Sequence, residues 1–129
     1  MRAIPIIAAL AMTLGSCGVH AAGTSAGARN MLTAEQMLAT GAESVYEAVE
    51  RLRPEWLRSR GPVSLTDSSP AVPSIFIGGS HVGDVEQLRS LRIDDVSHIR
   101  YYEPGEAGVR YGMGHPRGVI DVVMKGAQR

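Results

Sequence analysis

Apolar and polar positions fall in blocks along the chain, and each block has its own period. From Leu32 to Leu52 the spacing is helical. Thr33 with Gln36 reads as a capping box, Leu32 and Met37 as a hydrophobic staple, and Gly41 as a stop, which predicts a short helix over 34–40. Ser44 with Glu47 repeats the box, and Val45, Ala48, Val49 and Leu52 fall at i, i+3, i+4 and i+7. A second helix is therefore predicted to run to about Arg53 and end at Pro54. Beyond it the period shortens. Residues 63–65 are a weak strand candidate, and 67–73 form a polar, proline-rich loop. Ser74, Ile75, Phe76 and Ile77 form a β-rich run; Gly78 and Gly79 then suit a tight turn into a returning strand over 80–82. Asp84 with Gln87 opens a one- to two-turn helix with Val85, Leu88 and Leu91 inward, and Asp94 and Asp95 start a short turn. Over 98–103, period two places Ile99 and Tyr101 on one face and His98, Arg100 and Tyr102 on the other. Pro104 begins a helical turn through Val109, and Gly112, Gly114 and Gly118 break the chain. Residues 119–124, apolar except for Asp121, have the look of an interior strand. Helices followed by a small mixed sheet give an α+β class, with two N-terminal helices.

The N-terminus reads differently. Arg2 precedes an apolar run of about eleven residues and the small Gly15 and Ser16, so residues 1–16 are a secretory signal peptide, too short for a membrane span. Leu14-Gly15-Ser16-Cys17 resembles the lipobox of bacterial lipoproteins. The resemblance implies that Cys17 becomes the acylated first residue of the mature chain, carrying palmitate or a similar chain. Because Gly18 follows, it also implies sorting to the outer membrane, periplasmic side. An ordinary signal sequence cut near Ala21 or Ala22 is the alternative. Residues 17–30 then form the lipidated cysteine and a Gly/Ser-rich flexible tether with a reach of about 20 Å. The domain occupies 31–126, and 127–129 are a tail. Several acyl chains on one cysteine anchor stably, so a membrane partner enters through lipid.

Composition narrows the rest. Thirteen basic and thirteen acidic residues give no net charge, so nucleic acid is not an expected partner. Cys17 is the single cysteine, which excludes disulfides and thiolate chemistry in the domain. Gly112, Gly114 and Gly118 lead into a strand, not a helix, and so do not make a phosphate loop. His81, His98 and His115 lack the spacing of a compact metal site, and Glu103 and Glu106 sit where a helix dipole favours carboxylates. Ser44 and Ser64 occupy no nucleophile elbow. No catalytic centre, cofactor or metal is therefore expected. Arg51, Arg53, Arg58 and Arg60 form the one basic cluster, beside Trp56 and Leu57. It reads as a solvated helix end or as a phosphate or lipid-headgroup contact; under a binding reading Trp56, Leu57, Arg58 and Arg60 are the candidate partner contacts, with the loop 112–118.

A longer pattern connects these pieces. Leu32-Thr33-Ala34-Glu35, Gly41-Ala42-Glu43-Ser44-Val45-Tyr46-Glu47-Ala48, the run 73–79, the stretch 93–107, Tyr111-Gly112 and Gly118-Val119-Ile120-Asp121-Val122 follow one another in order. Together they resemble the plug domain of TonB-dependent outer-membrane receptors. The chain has Gly78-Gly79 where that family usually has Asp-Gly, and Val123 and Met124 where it has Thr. It is also too short for a transport barrel of sixteen or more strands at roughly 9 to 11 residues each. The resemblance thus implies a plug-like domain that binds a partner or a small ligand at the outer membrane without turnover, with an outer-membrane barrel or another envelope protein as candidate partner. The rival class is a small envelope hydrolase or metal-binding lipoprotein using the histidines.

Overall fold

The computed structural model describes residues 25–58 and 71–126. The signal peptide, Cys17, most of the tether, Arg60, the strand candidate at 63–65 and the tail lie outside the described residues. Five strands form one mixed sheet: β1 (Met31–Thr33), β2 (Ser74–Ile77), β3 (Ser80–Gly83), β4 (Val96–Tyr102) and β5 (Val119–Met124), in the order β1-β4-β5-β2-β3. All pairings are antiparallel except β2 with β5. The helices are α1 (Ser25–Arg29), α2 (Ala34–Leu38), α3 (Val45–Leu52), α4 (Pro54–Leu57) and α5 (Pro104–Tyr111), with 3₁₀ turns at Val85–Arg89 and Ile93–Asp95. The fold is therefore α+β.

The apolar run of β5 has the place its composition demands. As the central strand it is covered on both faces, and Val119, Ile120 and Val122 are fully buried. Ile120 and Val122 join Ile75, Ile99 and Leu32 on the face packed under α2, α3 and α4, where Met37, Val45, Ala48 and Val49 complete the main core. Val119, Phe76 and Tyr102 face the opposite way, under Ala107 of α5 and Tyr111. Val96 and Ile99 lie three apart yet share the main core, because a bulge between Val96 and His98 resets the alternation. Gly78 and Gly79, at φ +57° and +83°, make the two-residue turn that pairs Ile77 with Ser80.

Several boundaries depart from the sequence expectation. The tether read through Asn30 ends in α1, and residues read only as the approach to a helix cap form β1. Thr33 serves both elements, because the extended backbone of a cap residue (φ −83°, ψ 159°) is also strand geometry. Its capping box is complete: the Gln36 N–H donates to Thr33 Oγ1 at 3.3 Å, and the Thr33 N–H donates to Gln36 Oε1 at 2.9 Å. Thr33→Ala is expected to cost about 1 kcal/mol, read as a fall of roughly 4 to 8 °C in thermal midpoint; no fall would show that the cap is dispensable. At Ser44 only half a box forms, since the Glu47 carboxylate accepts from the Glu43 N–H and pairs with Arg51. Pro54 does end α3, but it also starts α4, where proline's missing N–H costs nothing. Val85, Leu88 and Leu91 recur at strict intervals of three, which suits the observed 3₁₀ turn better than an α-helix.

Candidate functional site

Among the described residues singled out here, Trp56 is buried and not part of a surface. Trp56 is 4% exposed, belongs to the main core and stacks on Tyr101 with ring centres 5.5 Å apart. Leu57 packs against the same core and Arg58 is exposed. Arg51 and Arg53 have partners within the domain: Arg51 Nη1 donates to the Thr40 carbonyl at 2.6 Å while Nη2 pairs with Glu47, and Arg53 Nε donates to the Arg29 carbonyl at 3.1 Å. What remains exposed of Trp56 lines a groove of about 770 Å³ with Arg29, Arg53, Tyr101 and Glu103. The physical reason is α4, whose restart at Pro54 turns the indole inward.

Chemistry-bearing side chains gather instead on the second sheet face. The register aligns Met31, Arg100, Asp121, Phe76 and His81 as one row across all five strands, and Tyr102, Val119 and Ser74 as the next. Over these rows lie α5 and the loop that follows it. Phe76 is the hub: ring centres lie 4.4 Å away at Tyr111, 5.2 Å at His81 and 5.4 Å at His115. His81 and His115, distant in sequence and read as scattered, stand 6.1 Å apart. The first is set by the hairpin, which pairs it with Phe76. The second is held by Ser74, whose Oγ lies 2.9 Å from His115 Nδ1, and by a turn in which the Gly118 N–H donates to the His115 carbonyl at 3.0 Å.

Toward α5 the face becomes charged. The Arg100 guanidinium lies 4.9 Å from the centre of the Tyr102 ring, that of Arg110 lies 5.2 Å from it, and Arg100 reaches Glu106 at 3.5 Å. Burial, then the Asp121 carboxylate, pushes the Tyr111 hydroxyl well above its ordinary range, so it stays a neutral phenol at physiological pH. Arg110 is pushed up too, chiefly by its hydrogen bond to Tyr111. Asp121 Oδ1 and Arg100 Nε, neighbours in the same row, are buried without a hydrogen-bond partner.

Ser74 and His115 are within nucleophile-to-base distance, yet among the described residues no carboxylate hydrogen-bonds His115 to orient it as a base. Nor does Ser74 offer its own N–H to an oxyanion, because it donates that proton to the Gly118 carbonyl at 3.2 Å. Among the described residues no group of three or more His, Cys, Asp or Glu is placed to hold a metal ion. None of their helices is long and apolar enough to cross a membrane. Val109, on α5, and Met113, in the glycine loop that follows it, are 91% and 96% exposed. No family model, curated protein or solved structure matches the chain.

Proposed function

We propose that the chain is a non-enzymatic, lipid-anchored envelope protein whose plug-like domain works at the periplasmic face of the outer membrane by binding a membrane-protein partner. The observation that carries this reading is the near-complete exposure of two large apolar side chains, Val109 on α5 and Met113 in the loop that follows it. Large apolar side chains left in solvent lose their exposure cost when a partner covers them. The lipobox-like Leu14-Gly15-Ser16-Cys17 and the plug-like text from Leu32 to Lys125 support an envelope location, where an outer-membrane barrel is the natural cover for these side chains. With Trp56 in the core, the loop 112–118 and the end of α5 take over the contact role.

Mass spectrometry of detergent-extracted protein is expected to show an acylated Cys17. A photo-crosslinker at Met113 in the native envelope is expected to recover one membrane protein, and Val109→Ser with Met113→Ser to abolish the adduct without lowering thermal stability. A soluble product starting near Ala22, or a monomer with hydrolase activity on an envelope substrate, would overturn the proposal.

A further inference from the structure

We infer that His81 and His115 form a surface site for a divalent transition metal, with Cu(II) the preferred ion. This goes beyond the partner-binding role and does not depend on it. A metal lies about 2.0–2.1 Å from each ligating imidazole nitrogen, so two imidazoles sharing one ion have ring centres roughly 4.5 to 6.5 Å apart. The observed separation of 6.1 Å falls inside that window. It lies near the upper end, where the two nitrogens approach the ion from nearly opposite sides, an arrangement that a tetragonal Cu(II) centre accommodates.

The surroundings of His115 fit a ligand. Its Nδ1 is taken by Ser74 Oγ at 2.9 Å, which leaves Nε2 as the nitrogen turned to other partners. An outer hydrogen bond that fixes one imidazole nitrogen and presents the other is the usual support of a metal-binding histidine. Both rings are also positioned from below by Phe76, at 5.2 and 5.4 Å, with the His115 ring set edge-on at 78°. His81 comes from β3 of the hairpin and His115 from the loop before β5, so one ion would add a second link to the one that the Ser74–His115 hydrogen bond already makes between hairpin and loop. Asp121, beside Phe76 in the same row, adds negative charge to the face. Two imidazoles leave the remaining positions to water or a small ligand. Imidazole suits Cu, Zn and Ni, and affinity for a given nitrogen site peaks at Cu(II).

The full chain, stripped with chelator, is titrated with Cu(II) by calorimetry against glycine as competitor. One Cu(II) per chain is expected, with nitrogen hyperfine structure from two imidazoles in its electron paramagnetic resonance spectrum. His81→Gln and His115→Gln should each weaken binding at least tenfold, and Ser74→Ala about tenfold by releasing Nδ1. The double variant His20→Gln with His98→Gln should bind as the parent does. Melting of the metal-free variants confirms that they fold, and His81→Gln, at an exposed edge position, covers the case in which His115→Gln does not. Absence of binding at tenfold excess, or binding that follows His20 and His98 instead, would overturn the inference.

Discussion

Gly118→Ala is expected to abolish the native fold or to lower its stability by about 3 kcal/mol or more, through strain and overpacking that act together. A Cβ at this position would lie 2.2 Å from the Tyr102 carbonyl oxygen and 3.0 Å from the Tyr101 hydroxyl, on a backbone at φ +83°. The first of these atoms is backbone of the neighbouring strand, so no side-chain rotation relieves the contact. Gly118 also ties its loop to β2 through its own backbone: its N–H donates to the His115 carbonyl, and its carbonyl accepts from Ser74 at the head of β2. Domains of this size have only about 0.05 to 0.15 kcal/mol of stability per residue, so the loss consumes much of the total. Gly112→Ala is the control. It also has a left-handed φ, +90°, but meets nothing within 4 Å, so only the backbone strain of roughly 1 to 2 kcal/mol applies. Urea unfolding should separate the two variants clearly. Equal losses would mean that the close approach to Tyr102 does not exist.

The same glycine marks how far the sequence could be read. Gly118 was legible as a break before an apolar run, and the run was legible as an interior strand. That it closes onto Tyr102, and that β5 then pairs in parallel with β2, depends on residues far apart in sequence that no local period encodes. Hairpins are different. The Gly78-Gly79 turn fixes its own register, so Phe76 opposite His81 follows from counting outward from it. His115 reaches that pair only through a long loop, which is why the histidines read as scattered. β1 was hidden because three extended residues before a helix cap look the same as a strand. The bulge in β4 hid Val96 from a period-two reading that correctly separated Ile99 from Tyr102. Trp56 misled for a simpler reason: arginines on both sides suggest solvent, whereas Arg53 reaches the Arg29 carbonyl and Arg51 the Thr40 carbonyl and the Glu47 carboxylate.

Trp56→Ala is expected to destabilise the domain by about 3 to 5 kcal/mol, the usual cost of emptying a buried aromatic site. A surface contact would instead leave stability within about 0.5 kcal/mol of the parent. The indole is 4% exposed and stacks on Tyr101 at an interplanar angle of 19°, so its loss removes both buried area and a ring pair. The effect should spread. Tyr101 donates its N–H to the Asn30 carbonyl at 2.8 Å and its hydroxyl to the Arg117 carbonyl at 3.0 Å, linking the start of β1 to the loop that enters β5. Without the indole behind it, Tyr101 holds that loop less firmly. The pair can be tested as a cycle: Trp56→Phe should lose less than Trp56→Ala, and Trp56→Ala with Tyr101→Phe should fall short of the sum of the single losses, because both act through one stacked unit. As the chain has one tryptophan, its emission reports the site directly and should lie toward the blue in the folded state and shift red on unfolding. Red-shifted emission from the folded parent, together with a Trp56→Ala variant that melts like the parent, would return Trp56 to the surface and to the list of partner contacts.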